Sequence, residues 1–162
     1  MLCLRQLVST PLLLVAVCAS AQLTDGLVGF WNFDEGGGDT AADGSGAENH
    51  GVFAGQPEWV AGQTGDGLEF DGASEVVIED TDSLRLVSGV TIAVWAKPGE
   101  GQAAWAKFLI KQKSGEYPYS LQFDDGQGMF GTVHADARFD TSPKLPNFPD
   151  EWAHVAMTYD GA

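Results

Sequence analysis

Gly67 to Pro98, GLEFDGASEVVIEDTDSLRLVSGVTIAVWAKP, is the stretch that decides the fold. It contains two short strand-like runs, Leu68 to Phe70 and Val76 to Glu79, then a polar loop and a β-branched run from Val90 to Lys97. In the last run Val90, Ile92, Val94 and Ala96 alternate with other residues, the pattern of a strand with one buried face. We therefore predict three strands separated by turns.

The remaining chain repeats this pattern of short apolar runs between turns. A glycine-rich polar stretch, residues 34–51, interrupts it and predicts a long surface loop. Many short strands between turn signals indicate an all-β fold, a two-sheet antiparallel β-sandwich or a barrel. The further predicted strands are Leu27–Phe33, Phe108–Ile110, Tyr117–Phe123, Met129–Val133 and Trp152–Tyr159.

The first residues form a separate unit. Residues 7–17 are mostly apolar, and Ala19-Ser20-Ala21 is a small-residue cleavage site, so we predict a secretory signal peptide at residues 1–21. The apolar run is shorter than the roughly 20 residues of a membrane span. Both cysteines, Cys3 and Cys18, lie inside this segment. We expect residues 22–162 to be exported as one disulfide-free domain, to the exterior, the cell surface or the periplasm.

The charge balance excludes two classes of partner. Against 23 acidic residues the chain has 8 Lys and Arg, which gives a net charge of -15. Such a surface repels nucleic acids and anionic membranes. It suits either divalent cations or simple solubility.

Five segments in order carry a family resemblance: GLVGFWNFDEG, AENHGVF, GLEFDGASEVVIEDTDSLRL, VTIAVWAKP and EWAHVAMTYDG. They resemble the laminin-G-like jelly-roll domains of the concanavalin A-like lectin and glucanase superfamily. The resemblance covers about residues 23–162. It implies a two-sheet antiparallel jelly-roll sandwich, a secreted module that binds glycans or proteins, and often one bound calcium ion.

The end of the sequence departs from that family pattern. In the family the TYDG turn leads into further closing strands, whereas this sequence ends at Asp160-Gly161-Ala162. We therefore expect residues 22–162 to be a partial domain. Missing closing strands leave neighbouring strands without ladder partners, which predicts marginal stability.

Calcium needs six to eight oxygen ligands held on turns. The glycine-rich loop and the turn after Leu68 offer such oxygens, and the predicted ligands are Asp34, Asp43, Asn49 and Asp71. The alternative is that these Asp and Asn residues only form turns. No single motif fixes the set.

Catalytic patterns are incomplete. The glucanases of the superfamily use a Glu-x-Asp-x-x-Glu strand, and here Glu69 and Asp71 are followed by Ser74 where the last acid belongs. Hydrolysis needs two opposed carboxyl groups, so we predict no enzymatic activity. His154 lies on a predicted strand, and we expect it to be a packed residue rather than a base or ligand.

Sugar binding needs exposed aromatic rings that stack on pyranose faces, with polar side chains nearby. Trp105 and Tyr117 lie near turns beside Lys107 and Glu116, and we predict them as ligand-binding residues. The alternative is burial, since every second strand residue of a sandwich faces the core.

Three functions follow from these patterns. The first is a secreted, non-catalytic module whose partner is a glycan or an extracellular protein, with calcium as the expected cofactor. The second is a structural or adhesive module of a larger surface protein. The third, which the broken acid motif disfavours, is a glucanase-like hydrolase.

Overall fold

A computed structural model describes residues 25–86, 88–113, 116–124, 128–141 and 144–161. The predicted signal peptide and both cysteines lie outside these residues. The described elements are one short 3-10 turn, Asp82–Leu84, and the strands β1 (Thr40–Ala41), β2 (Gly51–Ala54), β3 (Glu58–Ala61), β4 (Asp66–Glu69), β5 (Glu75–Ile78), β6 (Val90–Ala96), β7 (Lys107–Lys113), β8 (Glu116–Phe123), β9 (Met129–His134), β10 (Arg138–Asp140) and β11 (Ala153–Tyr159). The prediction of an all-β antiparallel fold is confirmed. None of the described residues belongs to a helix long and apolar enough to span a membrane.

The hydrophobic core lies between two sheets. One has four antiparallel strands in the order β10-β9-β8-β7, and the other consists of β11 and β6. Apolar side chains from both sheets meet between them, as expected for a β-sandwich. The buried core cluster comprises Val90, Ile92, Tyr119, Leu121, Phe123, Met129, Val133, Val155 and Met157.

Strand β6 confirms the alternation in the sequence. Val90, Ile92 and Ala96 are buried, while Thr91, Ala93 and Trp95 are exposed. The alternation fixes the pairing with β11, because a slip of one residue would expose every apolar side chain. On the exposed face of the β6–β11 pair, His154 is directly opposite Trp95, and their ring centroids are 5.2 Å apart. His154 therefore packs on the Trp95 ring, as predicted, but on the exposed side of the sheet and not in the core.

Strand β9 is buried on both sides, unlike a simple half-exposed strand. On the core side, Gly131 makes room for Met157, whose sulfur would lie only 2.1 Å from a Cβ at that position. On the other side, Phe130 and Thr132 are covered as well. The second covered face belongs to the surface described in the next subsection.

The first part of the chain adds a three-stranded sheet, β1-β2-β5, and a hairpin of β3 and β4. The predicted strand Leu27–Phe33 is not a strand. Its backbone is held by loop groups instead of a neighbouring ladder: Phe30 N–H donates to the Asp43 carboxylate at 2.9 Å, and Gly44 N–H donates to the Phe30 carbonyl at 2.8 Å. Phe33 then adopts φ 56°, which ends the extended run.

Candidate ligand-binding surface

The register of the four-stranded sheet assigns its side chains to two faces. Tyr119 pairs with Val133, and Phe123 pairs with Met129, and all four side chains belong to the core. Directly opposed residues share a face, and successive residues alternate. The other face, called the outer face from here on, therefore carries the cross-strand rows Lys107–Gln122–Phe130, Ile110–Ser120–Thr132–Asp140 and His134–Arg138.

The middle row of the outer face is polar and hydrogen-bonded. Thr132 Oγ1 donates to Asp140 Oδ1 at 2.7 Å, and Arg138 Nε donates to both Asp140 oxygens at 3.0 Å. Partial burial alone raises the pKa of the Asp140 carboxyl, but the bonds from Arg138 and Thr132 outweigh it and leave that pKa below its ordinary value. The outer face thus exposes an ionised carboxylate and a guanidinium, while the hydroxyl groups of Ser120 and Thr132 in the same row are buried.

An aromatic group closes one end of this face. The Trp105 indole meets the buried Phe130 ring edge-on, with centroids 6.2 Å apart. The Lys144 ammonium lies 5.3 Å from the centre of the same Phe130 ring. Phe130 therefore carries an aromatic partner and a cation, and both are exposed to solvent.

Trp105 has a strained backbone and an open ring. Its φ is 67°, a region that side-chain-bearing residues seldom adopt, and its side chain stays half exposed at 52%. Two hydrogen bonds hold it: the Trp105 N–H donates to the Asp124 carbonyl at 2.9 Å, and Lys107 Nζ donates to the Trp105 carbonyl at 2.9 Å. Backbone strain that the surroundings maintain is typical of functional positions. Of the two predicted ligand-binding residues, Trp105 therefore has a fixed backbone and an exposed ring beside Phe130.

Asp124 contacts both Trp105 and Lys144 at this end of the outer face. Its carboxylate is buried, with 4% of the side chain exposed, and it accepts bonds from Lys144 Nζ at 2.6 Å and from Gly128 N–H at 2.9 Å. A buried carboxylate is favourable only when charge and hydrogen bonds compensate it. Lys144 meets that need while more than half of its own side chain stays exposed.

Sequence reasoning missed Phe130, Asp124 and Lys144 as members of this site. Lys144 lies in a proline-rich crossing far along the chain, and the bridge between Met129 and Leu145, with both N···O distances at 2.9 Å, brings that crossing to the sheet. The spacing of the residues contains no signal for that bridge. The other predicted ligand-binding residue, Tyr117, is in β8, but its side chain lies outside the described part of the chain.

The structure gives Asp43, a predicted calcium ligand, a hydrogen-bonding role. Its Oδ1 accepts from the N–H groups of Phe30 and Ser45, and its Oδ2 accepts from Ser45 Oγ and Asn49 N–H, all between 2.8 and 2.9 Å. Desolvation raises the pKa of Asp43, yet the four bonds outweigh it and leave the pKa lowered. Each oxygen has two donors, which occupies the lone pairs that a metal ion would need.

Asn49 is likewise used inside the fold. Its Nδ2 donates to the Val28 carbonyl at 2.7 Å and to Ser83 Oγ at 2.8 Å, while its Oδ1 accepts from Thr81 Oγ1 at 2.7 Å. The backbone carbonyl of Asn49 accepts a hydrogen bond from the Trp31 indole N–H at 2.9 Å. One buried side chain thus joins three separate segments of the chain.

The other two predicted ligands belong to different neighbourhoods. Asp34 accepts the N–H of Asp66 at 2.9 Å, whereas Asp71 accepts three hydrogen bonds within its own turn, from residues 73 and 74. Among the described residues, no three His, Cys, Asp or Glu side chains are grouped so that they could hold a metal ion. The four residues therefore do not fit one shared calcium site, and calcium binding stays a prediction.

The two carboxylates of the incomplete acid motif lie at the end of a strand and in the turn that follows. Glu69 ends β4, and Asp71 lies in the following turn. Hydrogen bonds from Ala73 and then from Ser74 hold the pKa of Asp71 below its ordinary value. A general acid for glycoside hydrolysis needs the opposite shift, toward the protonated form.

Two antiparallel sheets around one core, with an aromatic and polar outer face, define a lectin-like β-sandwich. The chain belongs to the concanavalin A-like lectin/glucanases superfamily: the model of a laminin G family within it matches residues 70–162. The match includes β5 to β11 and every residue of the outer face. Comparison with curated proteins and with solved structures gives no match. Domains of the laminin G type are generally non-catalytic modules that bind carbohydrates or proteins.

Proposed function

We propose that the chain is a secreted, non-catalytic glycan-binding module whose ligand lies on the outer face of the four-stranded sheet. The observation that carries this proposal is Trp105, a half-exposed indole held at φ 67° beside a polar row. An exposed flat ring of this kind stacks on the apolar face of a pyranose. Gln122, which is opposite Phe130 in register, offers a side-chain amide to sugar hydroxyls, and Arg138 and Asp140 lie farther along the same face, on β10.

Rigidity supports the assignment. Trp105 is fixed by its backbone bond to Asp124 and by its contact with Phe130, so little side-chain freedom is lost when a sugar binds. Binding sites that are ordered in advance avoid part of the entropic cost of association. Secretion belongs to the proposal through the predicted cleavage after Ala21, which N-terminal sequencing of the exported protein tests.

The test is a binding titration of the whole protein against a panel of soluble polysaccharides. Trp105→Ala is expected to weaken the affinity for the bound glycan at least about tenfold, about 1.4 kcal/mol. Trp105→Gly, which accepts φ 67° without strain, is expected to do the same with the fold intact. Trp95→Ala is the matched control, because Trp95 is equally exposed at 52% but lies on the β6–β11 sheet. A blank panel, or an equal loss in the Trp95 variant, would contradict the proposal.

A second candidate is a protein-binding or adhesive module, which one observation favours. Val52 and Val77 are directly opposed on β2 and β5, and both are exposed, at 57% and 47%. Exposed apolar pairs on a sheet face favour contact with another protein. Loss of partner binding in Val52→Thr, with glycan binding unchanged, would separate this role from the first.

A further inference from the structure

We propose that Met157 is a modification site, at which oxidation by hydrogen peroxide loosens the contact between the two sheets. The site lies between the sheets, apart from the outer face, and does not depend on the proposed glycan ligand. Both cysteines precede residue 22, so the sulfur atoms of residues 22–162 are those of Met129 and Met157. A thioether reacts with peroxide to give a sulfoxide, a change that reductases reverse.

The first step is the position of the Met157 sulfur. Met157 lies on the core side of β11, with 6% of the residue exposed. Across the core it packs on Gly131 of β9, so closely that a single Cβ atom at residue 131 would overlap the sulfur. This contact joins one sheet to the other, and close packing there depends on the small apolar surface of both residues.

The second step is access. A cleft of about 140 Å³ opens between the two sheets where β10 faces β11, and Gly131 and Met157 are in its wall. Hydrogen peroxide fits this space, since a water molecule takes only about 30 Å³ of liquid volume. The rings of Phe139 and Tyr159 also line the cleft, with centroids 5.3 Å apart, and Phe139 is 42% exposed. Met129 is 1% exposed and is not part of this wall.

The third step is the reaction. A lone pair of the Met157 sulfur attacks one oxygen of hydrogen peroxide, the S–O bond forms and the O–O bond breaks. The displaced hydroxide takes the proton of the transferred oxygen and leaves as water. The sulfur is oxidised by two electrons and the peroxide is reduced, so no further reagent is needed.

The fourth step is the effect of the new oxygen. A sulfoxide oxygen in the core needs a hydrogen-bond donor. The Gly131 N–H already donates to Thr141 Oγ1 at 3.0 Å, and the Gly131 carbonyl already accepts from the Thr141 N–H at 2.9 Å. The side chains of Val133 and Phe139, which also line the cleft, have no donor. The oxygen therefore holds water in the cleft, and this water opposes the packing of β11 on β9.

The experiment treats the whole protein with hydrogen peroxide and measures two quantities. Peptide mass mapping is expected to show one added oxygen on Met157 severalfold sooner than on Met129. Urea unfolding of the oxidised protein is expected to show a midpoint lower by roughly 0.5 to 1.5 M, the cost of one poorly bonded polar group. Treatment with methionine sulfoxide reductases is expected to restore the midpoint. This reversal tests the step in the wild-type chain, so the result does not depend on the folding of a variant.

Three variants separate this site from general oxidative damage. Met157→Leu, which conserves volume, is expected to keep its midpoint in peroxide, and Met129→Leu is expected to lose stability as the wild type does. Phe139→Ala widens the cleft and is expected to speed oxidation of Met157 severalfold without changing the rate at Met129. Faster oxidation of Met129, an unchanged midpoint after Met157 is oxidised, or an equal loss in Met157→Leu would overturn the proposal. An unchanged rate in Phe139→Ala would overturn the cleft as the route.

Discussion

Replacing Asn49 by alanine removes the side chain that joins three segments of the chain. The variant loses two donor bonds, to Val28 and Ser83, and one acceptor bond, from Thr81. A buried hydrogen bond contributes about 1 kcal/mol net, and a buried carbonyl left without a donor costs more. Because only 2% of Asn49 is exposed, water does not replace these bonds. We expect the free energy of unfolding to fall by about 3 kcal/mol.

The assay is urea unfolding followed by tryptophan fluorescence. With a slope of about 2 kcal/mol per molar urea, the transition midpoint moves down by roughly 1.5 M. Asn32→Ala is the matched control, because Asn32 is exposed and makes one side-chain bond, 3.0 Å to Asp34. That variant is expected to stay within about 0.5 kcal/mol of the wild type. Equal stability of the two variants would refute the reasoning.

Repeating the same titration with calcium and with a chelator tests the calcium prediction. If hydrogen bonding is the role of Asn49, its replacement has the same cost in both conditions. If Asn49 is a calcium ligand, calcium stabilises the wild type through binding to the folded state, and the variant loses that gain. A calcium-dependent difference between wild type and Asn49→Ala would therefore restore Asn49 as a ligand.

Three more predictions concern the core and the titrating groups. Gly131→Ala is expected to destabilise by about 1 to 3 kcal/mol, since its Cβ clashes with Met157; an unchanged thermal midpoint would contradict this. Asp43→Asn is expected to cost stability above pH 4, and the difference from wild type should vanish as the pH falls through the lowered pKa of Asp43; a pH-independent difference in urea titrations would argue against it. Tyr119 donates a buried hydrogen bond to the Leu84 carbonyl, and burial, with the charge of a nearby carboxylate, raises its pKa to about 12. It should ionise at about pH 12 in an ultraviolet titration, and the stability tied to its neutral form should be lost as the pH rises from 10 to 12; Tyr119→Phe should remove that step.

The strands with strict alternation were predictable from the sequence. β6 and β11 bury one face each, so burial and pairing agree with the local pattern and the boundaries differ by a residue. The run Leu27–Phe33 misled because its aromatic residues are typical of strands. Its backbone partners are instead distant loop groups, such as the Asp43 carboxylate.

The candidate surface was only partly predictable for the same reason. Trp105 could be found, since an aromatic residue beside a turn and a lysine is a local feature of the sequence. Lys144 could not, because its position follows from a bridge between Met129 and Leu145 across a proline-rich crossing. Asn49 and Asp43 were recognised as important oxygens, but composition does not distinguish a ligand for metal from an acceptor for backbone N–H groups.

The pairing of β6 with β11 has a consequence for synthesis in the cell. Thr91 and Thr158, which are hydrogen-bonded across this sheet, lie 67 residues apart in sequence. Closing a loop of that length costs about 4 kcal/mol of chain entropy before any contact compensates it. At ribosomal speeds of about 5 to 20 residues per second, β11 is synthesised on the order of 3 to 13 s after β6, and the apolar side of β6 lacks its pairing strand during that time. A nascent chain of this protein is therefore a natural client for chaperones that shield lone strands.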